Sequence, residues 1–208
     1  MGRSINTCIF LNGIPPRLDD IAKHCNPEDF IICTDGAYDY LSGFNITPNI
    51  LIGDMDSISH LPDNQNITII SSSDQNTNDL EKTLQYCVEK HLKKLRIFGT
   101  DGKRFDHFMI NIATLACYAS ELDIELFTHE EYARFLPPGN YRFSGIQGQR
   151  FSLLALKRAG NLTLEGAVHP MRQDVLETCS RGLSNAFAAA ELKITFDAGL
   201  LLYMAEIK

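Results

Sequence analysis

Apolar and polar positions along this chain follow two regimes. Over the first 130 residues, short apolar runs alternate with longer stretches whose apolar positions recur every three or four residues. The short runs read as buried strands and the 3.6-residue periodicity as amphipathic helices. Predicted strands cover residues 5–11, 30–33, 50–52, 67–70 and 95–98, with a sixth at 123–128. Helices are expected from Leu18 to about residue 25, briefly through Tyr40-Leu41, up to about His91, and up to about Ala119. The third carries a stripe of Leu80, Leu84, Cys87, Val88 and Leu92, with Thr77 or Asn78 as its N-cap. The fourth carries Phe105, Phe108, Met109, Ile112, Leu115 and Ala116 on its apolar face. Strands that alternate with helices predict a mostly parallel sheet.

The pattern changes near residue 130. Beyond the turn Pro137-Pro138-Gly139-Asn140 come short strand-like runs at 141–143, 151–156, 162–164, 186–190, 193–196 and 200–204, punctuated by glycines. Short strands at regular turn spacing predict an all-β sandwich or barrel-like unit. The expected architecture is therefore an N-terminal three-layer α/β domain (1–130) followed by a C-terminal β-sandwich (131–208).

Composition narrows the function classes. An apolar content of 44% suffices for a packed core. The charge, 19 − 26 = −7, disfavours a duplex nucleic-acid binder, which needs a basic face, but not a nucleotide enzyme. No stretch approaches a membrane span, and the N-terminus lacks a signal-peptide core. Six cysteines at 8, 25, 33, 87, 117 and 179 include no pair with zinc-site spacing. Cys33, Cys87 and Cys117 fall in apolar runs or stripes, where free cysteine behaves as a small hydrophobe. A reduced, cytoplasmic protein is expected.

Candidate chemistry centres on Gly53-Asp54-Met55-Asp56-Ser57, at the end of the third strand. In extended backbone, residues two apart point to one side, so Asp54 and Asp56 aim at a common point. Two such carboxylates repel unless a cation sits between them, and Mg²⁺ takes one or two carboxylates plus substrate phosphates. The bland alternative is a turn with solvated aspartates. Asp35, Asp74, Asp79, Lys82, Arg104 and Asp106 follow the other strands, and the C-terminal ends of parallel strands share one edge. Singly, each has an ordinary explanation: Asp35 as a helix cap, Asp79 as a helix-dipole partner, Lys82 as a surface lysine, His107 as a buried hydrogen-bonded histidine. Arg104, His107 and Asn111 lie on one polar helical stripe. Together the groups describe a metal-dependent polyphosphate site, and no Walker lysine motif is present.

Four segments in order carry a resemblance: Thr34-Asp35-Gly36-Ala37; Gly53-Asp54-Met55-Asp56-Ser57; Asp74-Gln75-Asn76-Thr77-Asn78-Asp79-Leu80-Glu81-Lys82; and Gly99-Thr100-Asp101-Gly102-Lys103-Arg104-Phe105-Asp106-His107. They resemble the thiamine pyrophosphokinase family. Gly166-Ala167-Val168-His169-Pro170-Met171 and Gly182-Leu183-Ser184-Asn185 add a weaker likeness. Ala37 and Lys103 stand where the family has glycines, Asn76 stands where it has aspartate, and the chain has no tryptophan.

The resemblance implies a homodimer that binds thiamine between the α/β domain of one subunit and the β domain of the other. It also implies transfer of pyrophosphate from ATP·Mg²⁺ to the thiamine hydroxyl, releasing AMP. By matching positions it implies Asp54, Asp56 and Asp79 as metal ligands, and Lys82 and Arg104 as groups that balance phosphoryl charge. Asp35, Asp74, Gln75, Asp106 and His107 match ATP-side positions. Ser184, Asn185 and His169 match the thiamine side. The residues by themselves leave open a metal-dependent phosphohydrolase, a nucleotide sensor, or the same transfer to a thiamine analogue.

Overall fold

The computed structural model describes residues 6–62, 66–71 and 76–207, which form two compact units dividing between His129 and Glu130. In the first unit, β1 (Thr7–Phe10), β2 (Phe30–Thr34), β3 (Ile50–Gly53), β4 (Thr68–Ser71), β5 (Lys94–Phe98) and β6 (Asp123–Phe127) pair in the order β4-β3-β2-β1-β5-β6. Every pairing is parallel, with Thr7 opposite Phe30 on one side of β1 and opposite Leu95 on the other. β1 to β3 are buried at every position except Phe30 and Ile31, as sheets covered on both faces require. Phe10 stacks on Phe98 at 4.9 Å, and Phe98 on Phe127 at 5.3 Å.

Four α-helices join these strands: α1 (Leu18–His24), α2 (Asp35–Gly43), α3 (Asp79–Glu89) and α4 (Phe105–Tyr118). α2 and α3 both pack on β2 and β3, and α3 also meets α4. Asn78 is the cap of α3; its side chain accepts the Glu81 N–H at 2.9 Å. Leu80, Leu84 and Cys87 of the expected stripe are buried. α4 departs from expectation. Only Leu115 is fully buried, while Phe105 is 78% and Met109 51% exposed within the chain. A helical period announces an apolar face without saying what covers it. Cys117, on the same helix, is likewise exposed, whereas Cys8, Cys33 and Cys87 are buried.

The second unit contains β7 (Glu131–Leu136), β8 (Gly139–Ser144), β9 (Arg150–Glu165), β10 (Met171–Leu176), β11 (Asn185–Ala186), β12 (Glu191–Phe196) and β13 (Ala198–Glu206), all paired antiparallel. The sixteen-residue β9 organises it: its first half pairs with β11 and β13, its second half with β10 and β12. Two predicted strands are therefore one. The break in pattern has a local cause. Phe151, Leu153, Ala155 and Ala159 are buried at odd positions, Leu162 and Leu164 at even ones. Asn161, at φ 53°, inserts the extra residue that reverses the alternation. The strand expected at 186–190 shrinks to two residues, and β7 and β10 were not anticipated. Phe143 stacks on Tyr203 at 4.0 Å within a shared core that includes Phe187 and Phe196.

Leu84 has 0% exposure where α3 meets the sheet. Leu84→Ala should lower unfolding free energy by about 2–5 kcal/mol in urea titration, through lost transfer energy and a residual cavity.

Candidate active site

β1 lies between β2 and β5, so the chain leaves it in opposite directions on its two sides. That topological switch point opens a crevice beyond the strand ends. A cavity of about 330 Å³ occupies it, lined by Leu11, Asn12 and Gly13 after β1, Thr34 and Asp35 after β2, and Gly99 to Arg104 after β5, except Asp101. Asn78, Asp79 and Leu80 at the start of α3, and His107 and Asn111 of α4, close it. The loops after β1 and β5 are joined by backbone bonds, Leu11 N–H to Phe98 O at 2.9 Å and Ile14 N–H to Asp101 O at 2.8 Å. Gly13 permits this approach, since a Cβ there would lie 2.1 Å from the Gly99 oxygen.

Four buried side-chain polar atoms lack a hydrogen-bond partner among the described residues: His24 Nε2, which lies elsewhere, and Thr34 Oγ1, Thr100 Oγ1 and Asp35 Oδ2. Thr34, Thr100 and Asp35 all line this one cavity. Orphaned buried polar atoms are rare, and several around one crevice mark a site that a polar ligand completes.

Asp35 joins the cavity to the candidate metal ligands. Asp35, Asp54 and Asp56 each place a carboxylate oxygen within 4.8 Å of the others. The convergence does not come from extended backbone, as the spacing suggested. Residues 55–57 form a bend, with Met55 in the left-handed region at φ 68°. The bend is held by the Asp56 N–H donating to Asp54 Oδ1 at 3.3 Å. Gly53 admits Asp35 to the group, because a Cβ there would come 2.7 Å from the Asp35 carboxyl carbon. Asp35 is not the N-cap of α2. Thr34 holds that position, and Asp35 is the first helical residue, accepting the Gly36 N–H.

Electrostatics follow from this crowding. Burial, then the neighbouring charges of Asp79 and Asp54, raise the Asp35 carboxyl to about 6, against the opposing Gly36 N–H. The exposed Asp54 is held below the usual carboxylate range, chiefly by the Asp56 N–H. A hard divalent cation suits three oxygen donors so placed, one of them with an unpartnered buried oxygen.

Asp79 stands at the start of α3, paired to Lys82 Nζ at 3.2 Å. Lys82 is no solvated surface lysine, since its side chain is only 11% exposed. Arg104 lines the cavity while its guanidinium engages Asp106, with Nε to Oδ1 at 3.0 Å. His107 is exposed on the cavity wall rather than buried, and its N–H donates to Asp106 Oδ1. Asp74 and Gln75 lie outside the described residues. Asn12 and Lys103 also line the cavity; Asn12 lies outside the four acidic segments, and Lys103 stands within the fourth at a position that the family fills with glycine.

In the second unit, Asn185 is buried and both polar atoms of its amide are hydrogen-bonded. Its oxygen accepts the His169 N–H at 3.0 Å and its nitrogen donates to the His169 carbonyl at 2.9 Å. Asn185 thus clamps the 166–170 loop. His169 and Ser184 are exposed, Ser184 in the left-handed region at φ 56°.

The Asp35 shift sets a pH dependence. The unfolded carboxyl ionises near 3.8 and the folded one near 6, so between these values the unfolded state binds fewer protons and stability falls as pH rises. Without divalent cations, Asp35→Asn should stabilise the protein above pH 6 by up to about 3 kcal/mol, with no gain below pH 4. Urea titrations across that range, with and without added Mg²⁺, check this.

Comparison with known proteins agrees with this geometry. Residues 21–126 match the family model for the thiamin pyrophosphokinase catalytic domain. A thiamin pyrophosphokinase of Caenorhabditis elegans is 31% identical over 120 residues, spanning 53% of this chain and about half (49%) of that protein. The thiamine pyrophosphokinase of Bacillus subtilis is 24% identical over 89% of this chain and 91% of its own length. Its crystal structure superposes with a TM-score of 0.84, covering 98% of this chain and 99% of that one at 22% identity. The thiamin pyrophosphokinase of Candida albicans superposes at 0.80, covering 98% and 90%, with 19% identity. With the matched segment running from α1 into β6, across every element that lines the cavity after β1, this chain belongs to the thiamin pyrophosphokinase family.

Proposed function

We propose that this protein transfers pyrophosphate from ATP to thiamine, giving thiamine diphosphate and AMP. The observation that carries the reading is the crevice itself. Three unpartnered buried polar atoms line one cavity together with Lys103 and Arg104, and Asp35 on its wall belongs to the carboxylate trio with Asp54 and Asp56. Family membership supplies the reaction that fits it.

Asp54 and Asp56 would hold Mg²⁺, with Asp35 beside them and Asp79 on the adjoining helix. When bound, the ion supplies charge neutralisation and orientation for the polyphosphate. The thiamine hydroxyl oxygen forms a bond to the β-phosphorus as the bond between that phosphorus and the α,β-bridging oxygen breaks. AMP leaves with that oxygen, and the hydroxyl proton passes to solvent or a nearby base. Negative charge moves onto the departing oxygen, so cations fixed before the reaction lower its barrier. Lys82 is held by Asp79 and Arg104 by Asp106, which orients both side chains. Asp74, Gln75, Asp106 and His107 are assigned to the ATP side.

The division of labour is part of the proposal. The first unit is assigned as a three-layer catalytic domain and the second as a β-sandwich that presents thiamine. There, exposed Val168 and Leu183 sit beside His169 and Ser184, an apolar surface next to polar groups that suits a heteroaromatic cation. Asn185 is assigned a scaffold role in that loop. The exposed apolar side chains of α4, Phe105, Met109 and Ile110, support a homodimer in which one subunit's thiamine loops serve its partner's crevice. The cytoplasm, with its ATP and Mg²⁺, is the compartment that this chemistry requires. No helix among the described residues is long and apolar enough to cross a membrane.

Incubation with ATP, Mg²⁺ and thiamine should yield thiamine diphosphate and AMP in equal amounts, and nothing without Mg²⁺. AMP without a thiamine product would identify a hydrolase instead. Asp54→Asn and Asp56→Asn should each reduce kcat by about 100-fold or more, the scale of one lost electrostatic contact at a reacting centre, with circular dichroism unchanged. Mixed dimers of Ser184→Ala and Asp54→Asn chains should regain activity. Subunit exchange without recovery would count against a site shared between subunits.

A further inference from the structure

We infer that Lys103 is a polyphosphate-contacting residue of the nucleotide crevice, an inference that rests on the crevice being the ATP site. Its backbone is at φ 55°, the left-handed conformation that glycine favours, at the end of the turn after β5. That turn cannot shift freely, being tied to the β1 loop by the Ile14 N–H to Asp101 O bond at 2.8 Å. The Lys103 side chain lines the cavity, and Nζ donates to Asn12 Oδ1. Asn12 is itself packed against the first turn of α2, where its amide fills the space that a Cβ on Gly36 would need. The ammonium therefore sits on the rim facing the helix start that carries Asp35.

What singles out Lys103 is how its charge is met. Lys82 is paired with Asp79, and Arg104 with Asp106. Lys103 donates to a neutral amide, which satisfies one of its three N–H bonds, and among the described residues no carboxylate meets its charge. An exposed ammonium on a braced backbone, beside buried Thr100 Oγ1 and Thr34 Oγ1 that lack partners, fits an entering anion with several oxygens. The polyphosphate of a nucleoside triphosphate has that chemistry, whereas the cationic thiamine ring would be repelled.

The test is binding in the absence of thiamine, using the full-length protein, Mg²⁺, and two probes: α,β-methylene-ATP, whose scissile position cannot break, and AMP, which lacks the β and γ phosphates. Lys103→Gln removes the charge while keeping a flexible polar side chain, and Lys103→Gly suits the left-handed backbone, so both should fold. Each should weaken binding of the ATP analogue about 10-fold, the effect of one charge-assisted hydrogen bond, while AMP affinity changes by less than about twofold. Lys103→Arg should recover much of the loss. Unchanged analogue binding in Lys103→Gln, or equal weakening of both probes, would overturn the inference. Wild-type protein that binds neither probe would overturn both it and the nucleotide reading. Wild-type protein that binds the analogue yet makes no thiamine diphosphate from ATP would refute the acceptor assignment alone, and the variants' probe ratio would still decide the role of Lys103.

Discussion

The hydrogen bonding of β1 to two parallel neighbours is the constraint on which the site depends. With β2 on one side and β5 on the other, the connections leave the strand ends in opposite directions and cannot cover the gap. The gap is polar because strand ends expose backbone groups and the loops beyond them carry aspartates and hydroxyls. It is also shaped: the loops after β1 and β5 are bonded to each other, so the walls of the crevice are as fixed as the sheet.

Into that frame the chain sets groups that oppose one another. Asp35, Asp54 and Asp56 are brought together against their mutual repulsion, and the fold tolerates this by keeping Asp35 readily protonated while Asp54 remains in contact with solvent. Such strain is stable only if packing elsewhere outweighs it. Here the fully buried Ile9, Phe10, Ile32 and Leu51 anchor the strands from which these loops depart. In the function proposed above, a bound cation and polyphosphate would relieve this opposition from both sides.

The second unit uses a different device. One long strand, bent in register at Asn161, belongs to two antiparallel arrays and lets a short stretch of chain enclose a core. Its loops are braced from within, most directly by the Asn185 amide, which both accepts from and donates to the backbone of His169. Residues that look alike in a motif thus divide into those that hold a loop and those that the loop presents.

The sequence alone determined the parallel half of the fold and the identity of the acidic cluster. Both are local properties: buried parallel strands must be apolar runs, and the aspartates directly follow them. It also narrowed the cap of α3 to Thr77 or Asn78, since a cap is decided within one turn, and the structure selects Asn78. It could not decide how Asp54 and Asp56 converge, because the left-handed Met55 is set by the turn and not by residue spacing. It brought Asp35 to the same sheet edge but could not set it against Asp54 and Asp56, an approach that depends on β2 and β3 lying side by side with glycine at position 53. Cys8, Cys25 and Asp29, distant in sequence, have ligand atoms within 4.8 Å, and β9 reads as two strands until its partners are known. Lys103 and Asn12 are ordinary loop residues until the two loops meet. In each case the missing information is a long-range contact, and only the tertiary pairing of strands supplies it.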